Sequence, residues 1–243
     1  MSPEISEIKK IDLRDAVILD GFPSVGLVSS IVANYVIESL KLEQIAIVDS
    51  EYFPSVALVR GGEPLNPVRI YGGKIKRNTK IAVFVSEFQV PTPIVKPLSS
   101  LMLDWADEKR ADTIITPEGL IVEQMKENVD VYGIASTQYA AKKIPDYVLS
   151  FDEGVITGVT GVLLTEGKKR ERDVIALLAE AHPDYPDARA AGRIVEVLND
   201  MLRGVKIDPK PLYEEAEKIE KNIAEIRKQA AQVKKVPKNY MYA

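Results

Sequence analysis

The sequence contains no cysteine and a single histidine, His182. The first absence excludes disulfides, thiol catalysis and cysteine-based zinc sites. The second leaves one imidazole for any metal centre or Ser-His-Asp triad, and it is followed by Pro183 in a Pro- and Asp-rich turn. A long uncharged apolar run is also missing. The longest stretch free of charge, Gly21 to Ile37, is seventeen residues with Pro23, three serines and Asn34, short of the roughly 20 apolar residues that span a bilayer. The first ten residues, MSPEISEIKK, place acids ahead of lysines and have no apolar segment, unlike a secretory signal. Nor is there an excess of basic charge: 32 Lys and Arg stand against 36 Asp and Glu, for a net charge of -4, where a general nucleic-acid binder is usually basic. The expectation is a soluble, cytoplasmic protein without membrane or nucleic-acid partners.

What is present is globular. Across 243 residues, 46% are apolar and 28% charged, outside the disordered class. Short apolar runs alternate with longer amphipathic ones through the first 200 residues, the pattern of a layered α/β domain. The expected strands are Ala16–Phe22, Gln44–Asp49, Val56–Arg60, Val68–Tyr71, Lys80–Glu87, Thr113–Thr116, Val131–Ser136 and Val148–Phe151. Continuous β-branched runs such as Ile45-Ala46-Ile47-Val48 suit interior strands covered on both faces. Val56–Arg60 and Val68–Tyr71, flanking Gly61-Gly62, read as a hairpin with an irregular loop in a mixed sheet. The expected helices are Val25–Leu40, Ile94–Arg110, Gly158–Lys168, Arg172–Ala181, Ala188–Arg203 and Leu212–Lys235. Ser24 is placed to cap the first. Its apolar residues surround the axis, so it lies between the sheet and another helix or in a subunit interface.

The division expected is a core over 1–204, a helix over 205–236 and a tail over 237–243. In the helix, Leu212, Ala216, Ile219, Ile223, Ile226, Ala230 and Val233 recur at spacings of 4, 3, 4, 3, 4, 3, a heptad seam for pairing with a helix of the same body or of a neighbour. Leu212, Ile219, Ile223 and Ile226 are its candidate packing residues. From Val205 to Ala243 nine basic and six acidic residues give +3, leaving -7 for the rest, and no acid follows Glu225. Either a docking end for an acidic partner or a solvated helix end fits this pattern. After Pro237 the chain reads Lys238-Asn239-Tyr240-Met241-Tyr242-Ala243, a hydrophobic-Tyr-X ending in which an aromatic ring with a hydrogen-bonding tip lies one residue from a fixed negative charge.

Other motifs carry weaker chemistry. Gly21-Phe22-Pro23-Ser24-Val25-Gly26 links a strand to a helix and could offer N–H groups to an anion, but has neither the lysine of a Walker loop nor dinucleotide glycine spacing. Asp20, Asp49, Glu51, Glu87 and Glu118 fall near strand ends, where ligands bind in open α/β sheets, although these are also common turn positions. Gly158-Val159-Thr160-Gly161-Val162-Leu163-Leu164 reads as a packing element, and Asp187 as a helix cap after a proline-stiffened loop.

Gly21–Val28, Gly158–Leu164 and Tyr185-Pro186-Asp187-Ala188-Arg189-Ala190-Ala191 resemble, in this order, the archaeal proteasome assembly chaperone family, over about residues 10–205. Ser24 stands where a glycine is usual and Ala188 where a proline is usual. The resemblance implies a three-layer α-β-α sandwich related to nucleoside phosphorylases. Chains of this family with a long C-terminal helix and a hydrophobic-Tyr-X end resemble the homologue that activates the 20S proteasome without ATP. It therefore implies a non-enzymatic, cofactor-free homo-oligomer, with a tetramer among the options. Its partner would be the 20S α-ring, met by Met241, Tyr242 and Ala243 with Tyr240 and Lys238 beside them. In proteasome activators such an ending enters pockets between α-subunits, where the carboxylate meets a lysine. The alternative is a phosphorylase-like enzyme acting on a nucleoside or phosphorylated small molecule, which would need a phosphate cradle beside sugar- or base-binding groups.

Overall fold

The computed structural model of the chain describes residues 2–76, 79–122 and 128–233. Its elements are β1 (Glu4–Glu7), β2 (Val17–Gly21), α1 (Val28–Leu40), β3 (Glu43–Asp49), β4 (Leu58–Arg60), β5 (Glu63–Leu65), β6 (Val68–Lys76), β7 (Thr79–Ser86), α2 (Thr92–Glu108), β8 (Thr113–Leu120), β9 (Val131–Ala135), α3 (Gln138–Ala141), β10 (Leu149–Ser150), α4 (Gly158–Lys169), β11 (Val174–Glu180), α5 (Ala188–Met201) and α6 (Lys210–Val233). Nine strands form one sheet in the order β1-β3-β6-β7-β2-β8-β11-β9-β10. Its centre, β7-β2-β8-β11, is parallel, while β1, β3, β6 and β9 pair antiparallel with their neighbours towards the centre. The sheet is mixed, as expected.

Alternation along the central strands divides the core in two. Leu19, Ile81, Val83, Ile115, Ile175 and Leu177 face α1 and α5, whereas Ile18, Ala82, Phe84, Ile114, Ala176 and Leu178 face α2 and α4. Side chains one residue apart thus enter opposite layers, and the three-layer sandwich follows. Helix α1 packs on β2, β7 and β8 beside α5, which covers β11 in the same layer, so its apolar surface is shared between the sheet and a neighbouring helix.

Three expectations need correction, and one strand was not expected. Arg172–Ala181 is not a helix: Val174–Glu180 is strand β11, wholly buried between β8 and β9. Its Leu- and Ala-rich run has helical propensity, but covering on both faces and pairing on both edges override it. The hairpin partner of Leu58–Arg60 is Glu63–Leu65, in a separate two-stranded sheet, because Gly61 and Gly62 both take positive φ and close a tight turn. Val68–Lys76 instead joins the main sheet between β3 and β7. The short edge strand β1 has too few residues for its alternation to be read. Lastly, Ser24 precedes a single 3-10 turn, Val25–Leu27, rather than α1 itself. Gly26 and Leu27 both have left-handed φ, 60° and 53°, which kinks the chain before α1 begins. Ser24 still serves the helix, accepting a hydrogen bond from the Ser29 N–H at 3.1 Å.

Candidate functional site

Two regions carry the residues singled out in the sequence. The first is the carboxyl edge of the parallel strands. Gly26 is pressed against the loop before α5, so close that a Cβ would lie 2.8 Å from the His182 carbonyl oxygen. Its own carbonyl accepts the Asp187 N–H at 2.8 Å. Only a residue without a side chain, free to take positive φ, fits there. Asp187 caps α5 as expected, accepting from Ala190 N–H at 2.9 Å, and its other oxygen accepts from His182 N–H at 2.9 Å. His182 stacks on Tyr185, so the single imidazole is a loop-packing group. The first and third motifs are therefore one contact.

The second motif joins them through a buried polar chain. Asp20, at the end of β2, accepts the Phe22 N–H at 3.0 Å, and its other oxygen lies 3.0 Å from Thr116 Oγ1 of β8. Thr116 meets Thr160 of α4 at 2.6 Å, and Thr160 reaches Glu118 at 2.9 Å. Burial pushes the Asp20 carboxyl up to about 7 against its hydrogen bonds from Phe22 and Thr116. Burial also raises Glu118, opposed by hydrogen bonds from Thr160, Gly119, Ser24 and Val25. Above this chain opens a cavity of about 480 Å³, with Asp20, Glu87, Glu118, Ser24 and Thr160 among its polar lining and Phe22, Phe88, Val90, Val95 and Val159 as apolar walls.

Of the five acids noted in the sequence, the fold brings Asp20 and Glu118 together. Glu87 borders the same cavity but is ion-paired to the fully buried Arg69, with Arg60 at 3.6 Å. Asp49 and Glu51 remain exposed at a turn. No Lys, Arg or His lines the cavity among the described residues, so the Gly21–Gly26 loop opens onto carboxyls, the wrong sign for a phosphate cradle. Among the described residues no group of three or more His, Cys, Asp or Glu could hold a metal ion, and no helix is long and apolar enough to cross a membrane. Sequence reasoning missed Thr116 and Arg69. The signal for both was a polar side chain inside an otherwise apolar strand.

The second region is the base of α6. Leu212 and Ala216 of the heptad seam are sealed, at 7% and 3% exposure, in the contact with α5, while Ile219 and Ile223 are half-buried. Tyr213 packs its ring over Gly192 and donates its hydroxyl to Glu196 at 2.8 Å. Arg189 makes two hydrogen bonds, both 2.9 Å, to the Glu220 carboxylate, and these hold that carboxyl below the usual range. The start of the heptad helix therefore pairs with its own body. Lys238, Tyr240, Met241, Tyr242 and Ala243 lie outside the described residues, as does the side chain of Ile226.

Comparison with known proteins places this geometry. The chain is 27% identical over 228 residues to the uncharacterized protein MJ0106 of Methanocaldococcus jannaschii, covering 94% of this chain and 92% of that one. Its structure superposes on Pyrococcus furiosus PbaA, described as an archaeal homolog of proteasome-assembly chaperone, with a TM-score of 0.83 and 30% identity over 96% of this chain and 95% of PbaA. Pyrococcus furiosus PbaB, described as an archaeal proteasome activator, shares the fold with a TM-score of 0.82 at 24% identity, over 93% of this chain and 99% of PbaB. The matched segment of the family itself, residues 18–227, begins in β2 and runs into α6, taking in the carboxyl edge and the α5–α6 contact alike; the chain belongs to the PAC2 family.

Proposed function

We propose that this chain is a homo-oligomeric proteasome-binding protein whose C-terminal hydrophobic-Tyr-X tails, Met241-Tyr242-Ala243 flanked by Lys238 and Tyr240, dock on the α-ring of 20S particles. Docking assists assembly or favours the open gate, and does so in the cytoplasm without ATP. The observation that carries this reading is the anchoring of α6. Leu212, Ala216, Tyr213 and the Arg189–Glu220 pair fix its first turns to α5, and the basic, acid-free end of the sequence follows from that fixed base. The likeness to PbaA supports the partner. The division into a core over 1–204, a helix over 205–236 and a tail over 237–243 belongs to the same reading.

Gate opening requires that the tail bind the open ring more tightly than the closed one, since equal affinity shifts nothing. Several tails per oligomer add effective concentration without new contacts. The all-carboxyl charge of the carboxyl-edge cavity weighs against the phosphorylase-like alternative, which needs an anion cradle.

The test uses purified 20S particles, with co-sedimentation and peptide hydrolysis as readouts. Tyr242→Ala, and separately one residue added after Ala243, are expected to abolish binding and stimulation while leaving the folded core intact. Full binding by a chain lacking Met241–Ala243 would overturn the docking mechanism. Phosphate-dependent nucleoside cleavage by the unmodified protein would favour the enzyme.

A further inference from the structure

The buried chain at the carboxyl edge has more oxygen contacts than hydroxyl hydrogens to fill them. Asp20 Oδ2, Thr116 Oγ1, Thr160 Oγ1 and Glu118 Oε2 lie in series at 3.0, 2.6 and 2.9 Å, each within hydrogen-bond range. A threonine carries one O–H and an ionised carboxylate carries none. Two hydrogens therefore serve three contacts if both acids are ionised. Thr116 could then donate to Asp20 and Thr160 to Glu118, but the shortest of the three contacts, 2.6 Å between the threonines, would set lone pair against lone pair away from water. A third hydrogen removes the conflict, and only a carboxyl can hold it.

The remaining donors decide which one. Glu118 receives the Gly119 N–H at 3.3 Å together with the Ser24 hydroxyl and the Val25 N–H, besides Thr160. Asp20 receives only the Phe22 N–H on its other oxygen. The acid with four donors is the acceptor-only end. The sequence of bonds is then Asp20 to Thr116 to Thr160 to Glu118, each hydroxyl donating forwards.

We propose that Asp20 and Glu118 hold a single proton between them at neutral pH, resident on Asp20, and that Thr116 and Thr160 form a relay able to pass it to Glu118. In the transfer the Asp20 O–H breaks as Thr116 accepts its hydrogen. Thr116 gives its own to Thr160, and Thr160 gives its own to Glu118. One carboxyl is neutral before and after, the net charge is unchanged, and no heavy atom has to move. The floor of the cavity is thus an acid and a base connected by two hydroxyls, a proton-sensitive joint between β2, β8 and the first turn of α4.

Among the described residues, the charged groups around the joint leave it uncompensated. Glu87, beyond the end of β7, is committed to Arg69 and Arg60. Glu180 of β11 accepts from Tyr132 at 3.4 Å. The first turns of α1 and α4 contain no titratable side chain, and Lys96 of α2 is exposed. Burial acting on Asp20 points the same way as the hydrogen count.

The folded chain then carries one proton more than the unfolded chain between the ordinary carboxylate range and neutrality. Stability falls with rising pH across that window, by a tenfold increase in the unfolding constant per pH unit for one proton. Asp20→Asn supplies a permanent donor, its amide N–H taking the place of the proton on Thr116 and its oxygen still accepting from Phe22. Thermal and denaturant unfolding of the full chain between pH 4.5 and 8.5 should show this slope for the wild type. The Asn variant should lack it and should be the more stable of the two above neutrality. Carbon NMR of the labelled carboxyls tests the relay without relying on that variant. In the wild type the Asp20 signal should carry the main step near neutral pH and the Glu118 signal should follow it at smaller amplitude through the relay, whereas Thr116→Val, which cuts the chain at nearly constant volume, should remove that response of Glu118. Titration of Asp20 in the ordinary carboxylate range, a Glu118 signal blind to the Asp20 step in the wild type, or an unchanged slope in Asp20→Asn would each overturn the proposal.

Discussion

The two ends of the parallel strands meet the same electrostatic problem in opposite ways. At the amino edge, just before β8 and β11, Asp112 and Asp173 converge on Lys143, at 2.9 and 3.1 Å. Burial works against the Asp112 charge, but the Lys143 and Thr113 hydrogen bonds hold its carboxyl below the usual range. At the carboxyl edge Asp20 and Glu118 are buried more deeply, and hydroxyls and backbone N–H groups replace the cation. Their carboxyls rise instead. Desolvation acts in the same direction at both ends, and the presence of a counter-charge decides the sign.

Glu87 gives the strongest way to break the comparison, being the carboxyl of the second edge that does have a cation. Replacing it with alanine leaves the guanidinium of Arg69, a residue with 0% exposure, without its carboxylate partner. The expected loss is about 3 kcal/mol, measured as a shift in denaturant midpoint at constant slope. A loss below 1 kcal/mol would mean that Asn66 and Tyr71, which also accept from Arg69, suffice.

Close backbone packing is the second support of the carboxyl edge. A Cβ on Gly119 would fall 2.2 Å from the Val25 carbonyl oxygen, so Gly119→Ala is expected to cost about 2 kcal/mol. It should also disturb the Asp20 titration, because Val25 and Gly119 both donate to Glu118. A stable variant with unaltered titration would separate the packing from the polar chain.

The amino edge gives the smaller, pH-limited effect. A carboxyl whose folded value is depressed contributes stability above its unfolded value and loses it as pH falls through the folded one. Lys143→Met should therefore cost up to about 1 kcal/mol at neutral pH, since Asp112 is 42% exposed and screened by solvent. The difference from wild type should close below about pH 4. A gap persisting at lower pH would show that Lys143 acts through packing on Tyr139, over whose ring it lies at 4.6 Å.

Leu27 should give the smallest change. It holds φ at 53° with 43% of its surface exposed, a conformation that costs a bulky residue about 1 kcal/mol and an asparagine less. Leu27→Asn should gain a few tenths of a kcal/mol in thermal unfolding without altering either titration.

What could be read from the sequence was local. Strands β2 and β7 were visible because their apolar runs are covered on both faces, β3 because of its β-branched run alone, and Asp187 was a legible cap because its partner is three residues away. Strand β11 was not, since its Leu- and Ala-rich run becomes extended only by lying between β8 and β9. The polar chain was illegible for a related reason. Asp20 and Glu118 were each noticed as strand-end acids, yet Thr116 is 96 positions from Asp20, and Thr160 comes from a helix on another layer. Three motifs were legible in order along the chain. Their meeting at one edge depends on parallel strand order, which residue spacing does not encode. Of the heptad seam, Leu212 and Ala216 lie in the contact with α5, and that α5 is the partner of these first turns required the fold.

The bond between Arg189 and Glu220 also has a mechanical meaning. Glu220 lies 13 residues before the last described residue of α6, Val233, which at 1.5 Å per residue is an arm of about 20 Å. Arg189 belongs to the motif that packs beside Gly26, so the pivot of this arm is bolted to the carboxyl edge of the sheet. A rotation of roughly 10° at the pivot sweeps the far end through about 3.5 Å, close to the length of one extended residue. Displacements too slight to disturb the core packing are thereby geared up to several ångströms at the far end of the described helix.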